Sequence, residues 1–424
     1  MELISTRDRT LRCDFRQACA NSLAPDGGLW VPERLPPLPD LAAVLDLPWP
    51  EQAVAVLEHL IGDEFAPDRL RPLVRDALDF PVPLVQVTAD LHALELWHGP
   101  TLAFKDFGAR LLARLLAEVD PGPRVVLTAT SGDTGAAVAH AFWRQPGVQV
   151  VVLYPAGRVS PLQERQFGSL GDNVHALAVE GNFDDCQALA KACFAQPELT
   201  RRLRLTSANS IHIARLLAQV TYYFAAAAQA GRPLAVAVPS GNFGNLCAGI
   251  YARQLGLPMR LVAATNANTT VPDWLDGGPW RPRASIPTLS SAMDVGAPSN
   301  WERVLHTMGG DREALRAQLD WGHLDDISTL AVVRGLYATN AGGNGYLCDP
   351  HGAVAAGVLR RTLRPGEVGV FLATAHPAKF GDSLAPVVGE VPLPPGLTAV
   401  RDRPLSVTPL ANDLAALVGY LTVM

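Results

Sequence analysis

Three lysines stand in a chain of 424 residues: Lys105, Lys191 and Lys379. Every other basic residue among the 35 is arginine. The two are not interchangeable chemically. A guanidinium stays protonated and cannot form an imine, whereas a desolvated ammonium loses its proton and becomes a nucleophile or base. Lys105 lies in "HGPTLAFKDFGARLLARLLAEV" (98–119), at the first turn of an expected helix. Its partners at i+4, i+7 and i+11 are Ala109, Leu112 and Leu116, an apolar inward line, with Asp106, Arg110 and Arg114 as a charged stripe one step around. That makes Lys105 a Schiff-base candidate, the plain alternative being a snorkelling lysine. Lys191 reads as solvated: Asp184, Gln187 and Lys191 oppose the stripe Cys186, Leu189, Ala190, Cys193 and Phe194. Lys379 follows a strand in "TAHPAKFGDS" (374–383), beside Thr374 and His376, and stays open between a polar turn and a site.

Two further stretches could hold anions. "TATSGDTGAAVAHAF" (128–142) and "VPSGNFGNLCAG" (238–249) each carry small polar residues from a buried strand into a helix. The first amides of a helix lack partners inside it, its dipole favours negative charge there, and glycine admits close approach. Neither stretch is a G-x-x-x-x-G-K-[ST] or G-x-G-x-x-G motif. No H-E-x-x-H, ligand-spaced Cys/His cluster or G-x-S-x-G occurs, so neither a metal site nor a serine hydrolase is expected. An imine-forming lysine with two anion cradles suits pyridoxal phosphate acting on an amino acid, one cradle for the cofactor phosphate and one for the substrate carboxylate.

The elements that must position these groups are legible as alternation. "RVVLTAT" (124–130), "VQVVVLYP" (148–155), "HALAVEG" (175–181), "LAVAVPS" (234–240), "MRLVAATN" and "VGVFLATA" read as buried strands, most of them followed by helical segments. This predicts parallel sheets covered on both faces, in α/β units at about 105–215 and 230–390. A proline-rich start, 1–80, reads as a small N-terminal domain, 81–400 as the catalytic domain, and 401–424 as a C-terminal tail helix. Hydrophobic residues make up 48% and charged residues 18%, with a net charge of -6. Large cores follow, and neither nucleic acid nor membrane is expected as a partner. Six cysteines without a C-x-x-C pair, and no leader-like apolar run, suggest reduced thiols in a cytoplasmic protein.

"ELWHGPTLAFKDFGAR", "LTATSGDTGAAVAHAF", "SPLQERQF", "SANSIHIARLLAQ", "VPSGNFGNLCAG", "AATNAN" with "TVP", and "LATAHPAKF" together resemble the threonine synthase family of the short bacterial type. "GGLWVPERLP" is similar to that family's N-terminal domain. The resemblance implies an α/β, fold-type II pyridoxal-phosphate enzyme (tryptophan synthase β-like). It would have two parallel-sheet α/β subdomains plus a small N-terminal domain, and work as a monomer or homodimer. It implies conversion of O-phospho-L-homoserine and water to L-threonine and phosphate by γ-elimination and β-addition, the last step of threonine biosynthesis from aspartate.

By the same resemblance, Lys105 carries the cofactor, and Gly241, Asn242, Phe243, Gly244 and Asn245 hold its phosphate. Thr374 faces the pyridine nitrogen. Thr130, Ser131, Gly132, Asp133 and Thr134 hold the substrate carboxylate and border the phenolic oxygen. There Asp133, where the wider fold type often has asparagine, would share a proton with the phenolate. Arg158, Ser160, Gln163, Ser207, Asn209 and Lys379 are candidates for the leaving phosphate. One α/β unit should close over the other. His98 and Asp106 either touch the chemistry or hold the turn that presents Lys105. Rival readings are a hydroxy-amino-acid dehydratase or phospholyase, and a cofactor-free sensor of phosphorylated amino acids.

Overall fold

The computed structural model describes residues 1–338 and 345–424. Two mostly parallel sheets form its frame. The larger has six strands in the order Leu319–His323, Met259–Thr265, Leu234–Pro239, Val368–Ala373, Leu91–Glu95 and Leu84–Gln86. All neighbours in it are parallel except the last pair. The other is fully parallel, in the order Val407–Leu410, Val174–Val179, Val148–Pro155, Arg124–Ala129 and Thr206–Ser207.

The strands are apolar on both sides because both faces are covered. Along Leu234–Pro239, Val236 and Val238 enter a central core that also takes Val126, Val150 and Val152 from the other sheet. Ala235 and Ala237 point the opposite way, into a second core beneath the helix Pro350–Thr362. Val125, Leu127 and Ala129 join a third core, capped by Phe183–Phe194 and Leu414–Val423. Alternate residues of one strand therefore serve different cores. The first residues form an antiparallel three-stranded sheet, Arg12–Asp14, Glu2–Ser5 and Trp30–Pro32. Helices Glu51–Ile61 and Pro67–Ala77 follow it.

Three details go beyond the sequence reading. The charged stripe Asp106, Arg110 and Arg114 is covered by the 76–79 segment, which lies across it. Arg110 Nε donates to Ala77 O (2.7 Å), Arg114 Nε donates to Asp76 Oδ2 (2.7 Å), and Asp106 is buried. The tail at 401–424 carries a strand as well as a helix. Val407–Leu410 lies at the edge of its sheet, where Pro409 is tolerated. The larger sheet also takes Leu91–Glu95, which precedes the Lys105 helix in sequence. Among the described residues, no helix is long and apolar enough to cross a membrane.

Candidate active site

A cavity of about 850 Å³ opens where strand ends from both sheets meet, the usual ligand position in parallel α/β folds. Lys105 is delivered to it by a braced turn. Thr101 donates its N–H to Asp106 Oδ2 (2.8 Å) and its hydroxyl to Asp106 Oδ1 (2.7 Å). Leu102 adopts φ +58°, a conformation uncommon outside glycine. Phe104 N–H then donates to Thr374 O (2.8 Å), and His376 N–H to Leu102 O (3.0 Å). Lys105 and Thr374, both lining the cavity, therefore sit on adjoining stretches. Asp106 thus holds the turn, and burial lifts its carboxyl to about 6 despite the Thr101 bonds. His98 pairs with Glu95 (2.8 Å) outside the cavity lining.

Lys105 opens the helix Lys105–Val119 and is half-buried, lining the cavity. Desolvation pulls its ammonium down to about 8, opposed by Asp133 and reinforced by Arg215 and Lys379. A lysine poised there is far more readily deprotonated than an ordinary one and becomes half neutral near pH 8, as imine chemistry needs.

The 238–249 junction also lines the cavity. Asn245 Oδ1 accepts from the hydroxyls of Tyr222 and Tyr223, which leaves its Nδ2 buried without a protein partner. Such an orphaned donor suits a ligand oxygen. Asn242 is a brace instead: its Nδ2 donates to Ser210 Oγ (2.6 Å) and its Oδ1 accepts from Ser299 N–H. Phe243 turns its ring away onto Trp301, at 5.1 Å, so only its backbone is offered. Gly241 has no room for a side chain, since an added Cβ would lie 2.6 Å from Met293 Cα. Gly241→Ala is therefore expected to displace this loop and weaken cofactor binding at least about tenfold, the effect of a little over 1 kcal/mol of lost contact. Titrating the cofactor into the variant by its visible absorbance checks this, and unchanged affinity would refute it.

The 128–142 junction is a stiff loop. Thr130 Oγ1 accepts from Gly132 N–H (2.9 Å) and Gly135 N–H (2.8 Å), so this hydroxyl organises the loop. Gly132, at φ +140°, supports the turn and does not line the cavity. Ser131, Asp133 and Thr134 do line it. Asp133 accepts from Gln163 Nε2 (2.8 Å) and lies 2.6 Å from Lys379 Nζ. Burial alone would lift its carboxyl, but the charges of Lys379 and Lys105 with these hydrogen bonds hold it well below the ordinary range. Asp133 thus has a lysine counter-ion of its own.

The six residues proposed for a leaving phosphate separate. Ser207 and Asn209 line the cavity. Ser160 caps the helix Pro161–Gly168, and with Gln163 and Lys379 it forms a layer behind Asp133, outside the lining. Arg158 is exposed and away from the lining. Among the described residues, the cations lining the cavity are Arg7, Lys105, Lys191 and Arg215, and of these Arg215, on the helix Ile213–Ala230, is the fully buried one. It is buried, its Nη1 donates to Ala208 O, and its Nε has no protein partner. Burial lowers it to about 10. Gln219, one turn on, lines the cavity with an unpartnered Oε1. His351 was also not foreseen: it lines the cavity, bonds Asp349 through Nδ1 (2.5 Å) and accepts from Ala292 N–H (3.2 Å).

Comparison with known proteins agrees with this geometry. Residues 80–374 match the pyridoxal-phosphate dependent enzyme family, 2–78 the threonine synthase N terminus and 352–420 the threonine synthase C-terminal region. The threonine synthase of Haemophilus influenzae is 46% identical over 428 residues, covering 99% of each chain. The chain belongs to the threonine synthase family. The crystal structure of the Escherichia coli threonine synthase superposes with a TM-score of 0.94 at 46% identity, covering 100% of both chains. The pyridoxal-phosphate-bound threonine synthase of Brucella melitensis gives 0.92 at 37% identity, over 99% of this chain and 98% of that one. This member of the threonine synthase family is thus a pyridoxal-phosphate-dependent lyase of fold type II, and its activity is threonine synthesis. The residues present fit the cofactor: a desolvated Lys105, an unpartnered Asn245 Nδ2, a glycine cradle at Gly241 and a buried Thr374 all face one cavity.

Proposed function

We propose that this cavity converts O-phospho-L-homoserine and water into L-threonine and phosphate, with Lys105 as the residue that carries the cofactor and moves the protons. The cofactor, when bound, supplies the electron sink that acidifies protons on the substrate carbon chain. Everything else falls to side chains. Lys105, freed when the substrate amine binds, removes the Cα proton as a neutral amine and carries protons between Cα, Cβ and Cγ. Arg215, with Ser207 and Asn209, takes the phosphate that leaves Cγ. Ser131 and Thr134, with the amides of their loop, hold the substrate carboxylate. Gly241, Gly244 and the Asn245 amide hold the cofactor phosphate, and Thr374 faces the ring nitrogen. A neutral hydroxyl there leaves that nitrogen less protonated than a carboxylate would.

The carrying observation is that a desolvated lysine and a buried arginine with a free donor line one cavity. The division into 1–80, 81–400 and 401–424, with the five-stranded unit closing on the six-stranded one, belongs to the same reading. So does a cytoplasmic monomer or homodimer, to which six unbridged cysteines lend support. The decisive assay mixes the loaded protein with O-phospho-L-homoserine. Threonine and phosphate should appear in equal amounts, and free serine or threonine should give no keto acid. Because the base is the deprotonated amine, kcat is expected to rise with pH up to about 8. A keto-acid product would favour a dehydratase, and a profile flat from about pH 6.5 to 8.5 would count against Lys105 as the base.

A further inference from the structure

The third lysine has a setting that neither a surface turn nor a phosphate pocket explains. Lys379 Nζ is wholly buried and does not line the cavity. It makes two contacts, one to each side of the site. One is to Asp133 Oδ1 at 2.6 Å, at the start of the helix Asp133–Phe142 that follows Arg124–Ala129 of the smaller sheet. The other is to Thr101 O at 2.8 Å, on the turn that presents Lys105. Gln166 Nε2 donates to the same carbonyl (3.0 Å), and Gln163 Nε2 to the same carboxylate (2.8 Å). Buried charges are retained when paired and hydrogen-bonded, and here both conditions hold.

The consequence concerns the neighbouring amine. Asp133 lies within electrostatic reach of two lysines, and both influence its charge. The charged groups acting on Lys105 are Asp133, Arg215, Lys379 and Asp349. Around Lys379, its charge also reaches Asp106 and His376. If Asp133 were unpaired, its charge would favour a proton on the nitrogen of Lys105, which lines the same cavity.

We propose that Lys379 is a positioning residue, which takes Asp133 as its own counter-ion and so prevents that carboxylate from holding a proton on the nitrogen of Lys105. A second lysine thereby sets the charge of the first without touching substrate. The inference rests on the role assigned above to Lys105. Asp133 favours the charged amine, and Lys379 disfavours it.

The test is a pH titration of the visible absorbance of the full chain loaded with pyridoxal phosphate, whose colour reports the proton on the nitrogen that Lys105 contributes. Lys379→Gln should raise the midpoint by about one unit or more, the size expected when a nearby cation is removed and a carboxylate freed. Asp133→Asn should lower it, and the double variant should return it toward the parent value. Lys379→Arg, which keeps the charge, should stay near the parent. An unmoved or lowered midpoint in Lys379→Gln overturns the proposal, as does an unmoved midpoint in Asp133→Asn. Should Lys379→Gln fail to fold or to bind the cofactor, the Asp133→Asn and Lys379→Arg midpoints decide alone. Failure of the underlying reading shows separately, as colour that persists in Lys105→Ala.

Discussion

Replacing Lys105 by alanine or by arginine is expected to abolish turnover, a loss of at least about 10⁴-fold, at the upper end of what a positioned acid–base group supplies. Both substitutions are informative for different reasons. Alanine removes the amine and leaves a cavity. Arginine keeps a cation and length but offers no nitrogen that can be deprotonated. If charge alone mattered, arginine would retain activity. The loss should lie in the chemistry rather than in folding, because the turn is held by Thr101, Asp106 and the Phe104–Thr374 bond, none of which uses the lysine side chain. Borohydride treatment of the parent followed by peptide mass mapping should place the pyridoxyl group on Lys105. With three lysines in the chain the assignment is unambiguous, and a label on Lys191 or Lys379 would sink it.

Arg215→Met is expected to cost about 10²–10³ in kcat/KM, the effect seen when one preorganised donor to a developing anion is removed. The guanidinium is buried and anchored by Ala208 O, its residue lines the cavity, and its Nε has no protein partner. Its orientation is set before any anion arrives, which is the condition under which such a donor is most effective. Arg215→Lys should not rescue, because an ammonium cannot reproduce a planar fork that spans a carbonyl and a phosphate at once. The measurement is steady-state kinetics with O-phospho-L-homoserine over a range of substrate concentrations. A variant within about threefold of the parent would remove Arg215 from the phosphate site, since a donor of this kind is worth far more than that factor.

Much of this was readable from residue order, and the exceptions share a cause. Long strands such as Val148–Pro155 and helices such as Phe183–Phe194 announce themselves by runs and periods. Lys105 was visible because a charge on an apolar line is costly and so conspicuous. Arg215 carries the same signal, with Gln219 and Tyr222 at i+4 and i+7 on a helix buried over most of its length. It passed unnoticed in a chain so rich in arginine. What covers the charged stripe Asp106, Arg110 and Arg114 is not legible locally, because the 76–79 segment is remote in sequence. Thr206–Ser207 is too short to show a period, and Val407–Leu410 carries a proline. The pairing of Lys379 with Asp133 depends on segments that follow strands of two different sheets, which no local pattern encodes.

The sheet order has a consequence for how the protein comes into being. Val368–Ala373 lies between Leu234–Pro239 and Leu91–Glu95. Leu91–Glu95 therefore has no parallel neighbour until a strand made much later on the ribosome has entered beside it. The turn before Lys105 is likewise pinned by Thr374 and His376. Non-local pairings of this kind form late and slowly. The reactive amine is thus translated early, but its turn acquires these pins only once Val368–Ala373 and the 374–376 segment have been made.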